Sequence, residues 1–257
     1  MKPLILLTND DGFFAEGIQI LKESVSEQGE VYIVAPDRER SATSLALTLH
    51  HPLRVKQTAD RVFSVDGTPA DCIYLALQKL LPRRPDLILS GINPGPNLGQ
   101  QDISYSGTVA GAVQGTFLQI SSAAISCLPD EEGVCHFDAA ARFAEKAARM
   151  LLKNGLPQQI TLNINVPPPP VKGVKAAKLG EKRYNPEILV KKDPRQRDYY
   201  WIGTGRPKAM GDPNSDVRII EKGHITVTPL HRDLTDYTWL DHSGFHSLLD
   251  GIQDEMA

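Results

Sequence analysis

The chain has 257 residues, of which 41% are hydrophobic and 23% charged, the make-up of a globular protein with room for one large α/β domain. Its 28 basic and 31 acidic side chains leave a net charge of −3, so the basic surplus of a nucleic-acid-coating protein is missing. No apolar run approaches the ~18 residues of a membrane span, and the three cysteines form no CxxC pair, which disfavours a zinc site, a redox motif or a disulfide framework.

Leu4-Ile5-Leu6-Leu7 is a wholly apolar stretch of the kind buried on both faces of a parallel sheet. It is too short for a signal-peptide core and Asn9-Asp10-Asp11 ends it, so cytoplasm is the expected compartment. Ile18 to Val25 carries helical spacing, and Val31-Tyr32-Ile33-Val34 is a second strand stopped by Pro36. Leu53–Lys56 and Val62–Val65 alternate apolar with polar residues, as a half-exposed hairpin does. Pro69 opens a helix whose apolar face includes Cys72, Ile73, Leu75, Ala76 and Leu80. Leu87-Ile88-Leu89 is another buried strand, running into Ser90-Gly91. Thr108–Phe117 is predicted as a helix rich in small residues, followed by the strand Ala123–Ser126. The clearest amphipathic helix is Phe137–Leu152, with Ala140, Phe143, Ala147 and Leu151 on one stripe.

Thr161–Val166 is a strand, ended by Pro167 to Pro170. Further strands are predicted at 174–179, 198–203 and 224–230, and a last helix near 244–252. Cys72 and Cys127 lie inside apolar segments and are predicted as small core residues. This succession predicts an α/β fold with a doubly wound, mostly parallel sheet and right-handed crossovers. All of 1–257 is one expected domain, in which 1–130 is the core carrying the site and about 180–216 an extended arm rich in Pro, Gly, Arg and Asp.

In open α/β sheets ligands bind beyond the carboxyl ends of the strands. The first predicted strand ends in Asn9-Asp10-Asp11-Gly12, the second in Pro36-Asp37-Arg38-Glu39-Arg40-Ser41, and the strand at 87–91 runs on to Asn93, Asn97 and Gly99. Asp10-Asp11 has a plain reading as a turn with a helix cap. It has a chemical one too, because adjacent carboxylates repel unless a cation or proton relieves them. Ser41 and Asn93 taken singly are solvated or capping residues. Beside Asp10 and Asp11 they complete four oxygens suited to Mg²⁺ or Mn²⁺, and without His or Cys the set disfavours zinc. The run 91–99 is neither GxGxxG nor a Walker A loop. Tyr105-Ser106-Gly107-Thr108-Val109 opens a helix whose free N–H groups, dipole and two hydroxyls suit a phosphate, the rival reading being an ordinary N-cap. Of the histidines, His231 ends a strand that leads towards the site, although a structural role suits it better.

Several blocks together resemble the stationary-phase survival protein family, SurE. They are Thr8-Asn9-Asp10-Asp11-Gly12, Ala35-Pro36-Asp37-Arg38 with Arg40-Ser41, and Gly67-Thr68-Pro69-Ala70-Asp71-Cys72. Ser90-Gly91-Ile92-Asn93 with Gly95 and Asn97, Tyr105–Val109, Asn163-Ile164-Asn165-Val166-Pro167 and Thr228-Pro229-Leu230 continue the match, in the family's order across nearly the whole chain. The resemblance implies a Rossmann-like core and a smaller C-terminal, strand-rich part that exchanges segments between subunits. It implies a metal-dependent phosphomonoesterase acting on nucleoside 5′- and 3′-monophosphates, with short polyphosphate a further substrate of some members. Carried onto this chain, one divalent cation per subunit would be held by Asp10, Asp11, Ser41 and Asn93. Asn97, Ser106, Gly107 and Thr108 would contact the phosphate, and Asp10 or Asp11 would act on the attacking water.

The chain departs from its relatives in two places: an acid followed four residues on by histidine is here Asp233 followed by Tyr237, and Gln100-Gln101 stand where acidic residues are common. A nucleotide-binding sensor without turnover is the alternative from another class. Neither reading calls for a nucleic-acid duplex or a membrane as partner. Tyr199-Tyr200-Trp201 in the arm predict a homodimer or homotetramer, since alternation on a lone hairpin would bury some of these rings and expose others.

Overall fold

The computed structural model describes residues 2–184, 187–203, 205, 208–210 and 212–256; the expected arm's residues 185, 186, 204, 206, 207 and 211 lie outside the described residues. β1 (Leu4–Thr8), α1 (Glu16–Val25) and β2 (Glu30–Pro36) form the first crossover, followed by a hairpin of β3 (Val55–Ala59) and β4 (Val62–Val65). α2 (Pro69–Leu75) continues through one π-helical turn, Ala76–Leu80, towards β5 (Leu87–Pro94). Next come α3 (Gly99–Tyr105), α4 (Gly107–Phe117), β6 (Ser122–Cys127), α5 (Phe137–Asn154) and β7 (Ile160–Val166). The remainder holds β8 (Gly173–Ala176), β9 (Glu181–Arg183), β10 (Ile188–Lys192), β11 (Asp198–Ile202) and β12 (Lys208–Met210). α6 (Asp216–Ile220), β13 (His224–His231), α7 (Tyr237–Leu240) and α8 (Ser243–Met256) complete it.

The main sheet runs in the order β3-β4-β2-β1-β5-β6-β7-β13-β8 among the described residues. β4, β2, β1, β5, β6 and β7 are parallel, while β3 and β13 run antiparallel to their neighbours β4 and β7. Strands with no polar face need cover on both sides. Ile5 and Leu7 of β1 enter a cluster with Ile18, Leu21 and Val25 of α1 and Ala140, Ala144 and Ala148 of α5. Leu6 points the other way, into a cluster with Cys72 and Ile73 of α2. Helices thus flank both faces of a doubly wound sheet, as expected.

The buried stripe of α5 is Ala140, Ala144, Ala148 and Leu151, rotated from the predicted one, and Phe143 and Ala147 pack at its margin. Alanines there let the helix lie close to the sheet. Cys72 and Cys127 are buried core residues and all three thiols are free. No helix of the described residues is long and apolar enough to cross a membrane.

The arm divides into two pieces. β9 and β12 pair antiparallel at its base, and β10 and β11 form a separate two-stranded hairpin. Every residue of β10 and β11 is exposed. The expected alternation therefore does not bury part of the aromatic run in one chain: Tyr199, Tyr200 and Trp201 are 40%, 64% and 60% exposed. A ribbon of two strands with nothing laid across it has no buried face.

Candidate active site

The crossovers from β1 turn to β2 on one side, while β5 takes the other, so a crevice opens beyond the carboxyl ends of these strands. A cleft of about 1130 Å³ occupies it and is lined by Asp10, Asp11, Ser41, Asn93, Asn97 and Ser106, together with residues that sequence reading did not find. Asn9 shapes the first loop: its amide donates to the Gly12 carbonyl (2.9 Å) and its Oδ1 accepts from the Gly12 N–H (3.2 Å). Arg40 N–H donates to the Asp10 carbonyl (2.7 Å), joining the second loop to the first.

Asp10 is buried against the start of α4. The Thr108 hydroxyl donates to its Oδ1. A Cβ on Gly107 would stand 2.7 Å from the Asp10 Cβ, so only glycine lets the helix end come this close. Gly111 likewise lies against Thr8 and Ser90, so the small residues of α4 serve helix–sheet packing. Burial raises the Asp10 pKa, against the lowering effect of the Thr108 hydrogen bond. Asp11 is pushed up to about 7 by burial, then by the nearby charges of Asp10 and Glu39. Its Oδ2 is buried without a partner.

That orphaned oxygen, set among like charges, is the feature a hard cation satisfies. Asn93 commits its Nδ2 to the Gly95 carbonyl (2.8 Å), which leaves Oδ1 as an acceptor. The Ser41 hydroxyl donates to Glu39 Oε1 (2.6 Å), and its lone pairs stay available. The donors fit Mg²⁺ or Mn²⁺, although among the described residues no three His, Cys, Asp or Glu side chains gather as a metal group. Of the four carboxylates among the described lining residues, Asp10 and Asp11 stand with the neutral oxygens of Ser41 and Asn93 as the predicted set. Glu39 accepts from Ser41, and Asp102 from Lys182 and Tyr184.

The predicted phosphate contacts divide. Asn97 and Ser106 line the cleft, whereas Gly107 and Thr108 lie behind Asp10. Ser106 is also the N-cap of α4, its Oγ accepting from Val109 N–H (3.0 Å). The N-cap reading of that segment therefore holds for Ser106.

The far wall comes from α3 and the base of the arm. Lys182 Nζ and the Tyr184 hydroxyl both donate to Asp102, which also accepts from Leu98 N–H (3.3 Å). Burial and the Asp102 carboxylate push the Tyr184 phenol above its usual range. Lys182 is the one basic side chain among the described lining residues. No spacing signal links Lys182 to Asp102 across 80 positions.

His231 does not reach the site. β13 is antiparallel to β7 and His231 pairs with Ile160, so it ends at the opposite edge of the sheet. Asp233 and Tyr237 are also absent from the lining; the Tyr237 hydroxyl donates to Asp233, whose pKa falls to about 2 through that bond and Thr235.

A family model described as Survival protein SurE matches residues 5–186. The 5′-nucleotidase SurE of Pelobacter propionicus is 47% identical over 236 residues, covering 91% of this chain and 95% of that protein. The Legionella pneumophila protein of the same name is 44% identical over 241 residues, 93% of this chain and 94% of its own. The crystal structure of the SurE protein from Aquifex aeolicus superimposes with a TM-score of 0.79 at 38% identity, covering 92% of this chain and 96% of the other.

Proposed function

This chain belongs to the survival protein SurE family, and from that premise we propose that it is a 5′-nucleotidase, a metal-dependent phosphomonoesterase releasing phosphate from nucleoside 5′- and 3′-monophosphates. Short polyphosphate is a further proposed substrate, and the cytoplasm the proposed compartment. The observation that carries the reading is the unpartnered, buried Asp11 Oδ2 beside Asp10 in the cleft.

Asp10, Asp11, Ser41 and Asn93 would hold one divalent cation, Mg²⁺ or Mn²⁺. The chemistry such an ion supplies when bound is neutralisation of a dianionic ester and a more acidic water. The chain's own groups do the rest. Asn97 and Ser106 present donors to the phosphoryl oxygens, where charge develops in the transition state, while Gly107 and Thr108 at the start of α4 stand behind Asp10 and hold it in place. Asp10 is held by Thr108, which leaves Asp11 to orient the attacking water and accept its proton. Lys182 and Tyr184 close the wall away from Asp10.

Phosphate release from a panel of nucleoside monophosphates, with Mg²⁺ or Mn²⁺ and then with chelator, tests this. Metal-dependent release is expected, and Asp11→Asn is expected to lower turnover about 100-fold or more while leaving the fold intact. Tight nucleotide binding with no metal-dependent release would make the protein a sensor.

We also propose a homodimer or homotetramer built through the arm. The support is the row of aliphatic and aromatic side chains that the β10–β11 ribbon leaves exposed.

A further inference from the structure

Asn97 follows Gly95 and Pro96 off the end of β5, where no strand offers it a ladder partner. Its backbone is held instead by side chains. The Asn97 N–H donates to Asn165 Oδ1 (2.9 Å), and its carbonyl accepts from Asn163 Nδ2 (2.8 Å) and Asn165 Nδ2 (3.0 Å). Its own Nδ2 donates to Ser126 Oγ (2.8 Å). Asn163 and Asn165 stand two apart on β7, so they share one face, and Ser126 of β6 is in register beside Asn165. All three are fully buried. Ile164 and Val166 of the same strand belong to the apolar core.

Burying two carboxamides and a hydroxyl costs free energy unless each finds a partner. Here the partner in every described bond of these three side chains is Asn97. Generic sheet stability does not call for that arrangement, since apolar residues at the three positions would pack without a desolvation cost. The arrangement does immobilise one residue, at its N–H, its carbonyl and its side-chain amide together. Fixed placement of a donor is what raises its value to a bound oxyanion.

We infer that Ser126, Asn163 and Asn165 are positioning residues that set the Asn97 side chain in the cleft, and so tune phosphate affinity without touching the substrate. The inference rests on the proposed role of Asn97 as a phosphate contact. Asn165 aligns the loop through two bonds, Asn163 through one, and Ser126 fixes the rotamer of the amide.

The test is a double-mutant cycle read by the competitive inhibition constant of inorganic phosphate and by KM and kcat for a nucleoside monophosphate. Ser126→Ala removes one neutral hydrogen bond with little change of volume, and is expected to weaken phosphate binding roughly 2- to 12-fold, with KM rising more than kcat falls. Asn165→Leu, which removes two bonds, is expected to weaken it by more. In an Asn97→Ala background, with no side chain left to place, either change should alter phosphate binding by less than about twofold. Equal losses in both backgrounds, or a lowered melting temperature with unchanged phosphate binding, would overturn the inference. If Asn165→Leu fails to fold, the Ser126→Ala pair of backgrounds decides alone. Asn97→Ala without effect would refute the reading of Asn97 and the inference with it. A clear loss in Asn97→Ala combined with none in Ser126→Ala and Asn165→Leu would refute the inference only.

Discussion

Thr108 has one hydroxyl, and the fold directs it to Asp10. The sequence pattern suggests a phosphate donor; the geometry makes it the group that holds a carboxylate in a place water scarcely enters. Hydrogen bonds to charged groups contribute about 1.5–3 kcal/mol. Thr108→Val keeps the shape and removes that bond, so kcat and the affinity for Mg²⁺ or Mn²⁺ are expected to fall roughly 10- to 100-fold. The inhibition constant of inorganic phosphate should stay near the parent value. Calorimetric metal titration alongside phosphate inhibition checks both, and a loss confined to phosphate binding would return the hydroxyl to the substrate.

α4 meets the end of β1 through glycine. A Cβ at Gly107 would lie 2.7 Å from Asp10 Cβ and 2.8 Å from its Oδ2, too close for either to stay put. Gly107→Ala is expected to cost about 1–3 kcal/mol of stability, as overpacking does, and to reduce turnover by displacing Asp10. Gly251, on exposed α8 with open space around it, is the control: Gly251→Ala should stabilise by about 0.5–1 kcal/mol and leave turnover unchanged. Thermal melts and initial rates on the two variants decide this.

Elements of this kind were legible in the sequence to different degrees. β1, β5 and β6 announce themselves as apolar runs, and α5 by its period. β9 (Glu-Lys-Arg) and β12 (Lys-Ala-Met) carry no strand signal because each is only three residues long and β9 is charged throughout. α3 has a single aliphatic residue and hence no apolar stripe. The ends of β1, β2 and β5 could be read as one site because a parallel sheet obliges its strand ends to meet. Lys182 and Tyr184 could not, because only the folded arm brings them to Asp102. His231 shows the converse: strand and strand end are both legible, but the direction in which β13 runs is a tertiary fact, and it sends the residue to the wrong edge.

Across the whole molecule the arm meets the cleft where Asp102 accepts from Lys182 and Tyr184, and again where Ile202 of β11 and Gly203 line it. The β10–β11 ribbon carries Ile188, Val190, Trp201 and Ile202, all more than half exposed. Such a surface on a two-stranded ribbon is what a partner copy covers. Light scattering at micromolar concentration is expected to give at least twice the 28.2 kDa of one chain, and removal of residues 188–202 to reduce it. A single 28.2 kDa species from the full chain would end the proposal.

The open edges of that ribbon carry a thermodynamic consequence. A ribbon that is covered only by its counterpart ties unfolding to dissociation, and the midpoint of a melt then obeys mass action. Diluting the protein should lower its melting temperature, in contrast to a self-sufficient monomer, for which dilution changes nothing. Under the proposed assembly, edges left uncovered at low copy number would have backbone groups free to template wrong pairings.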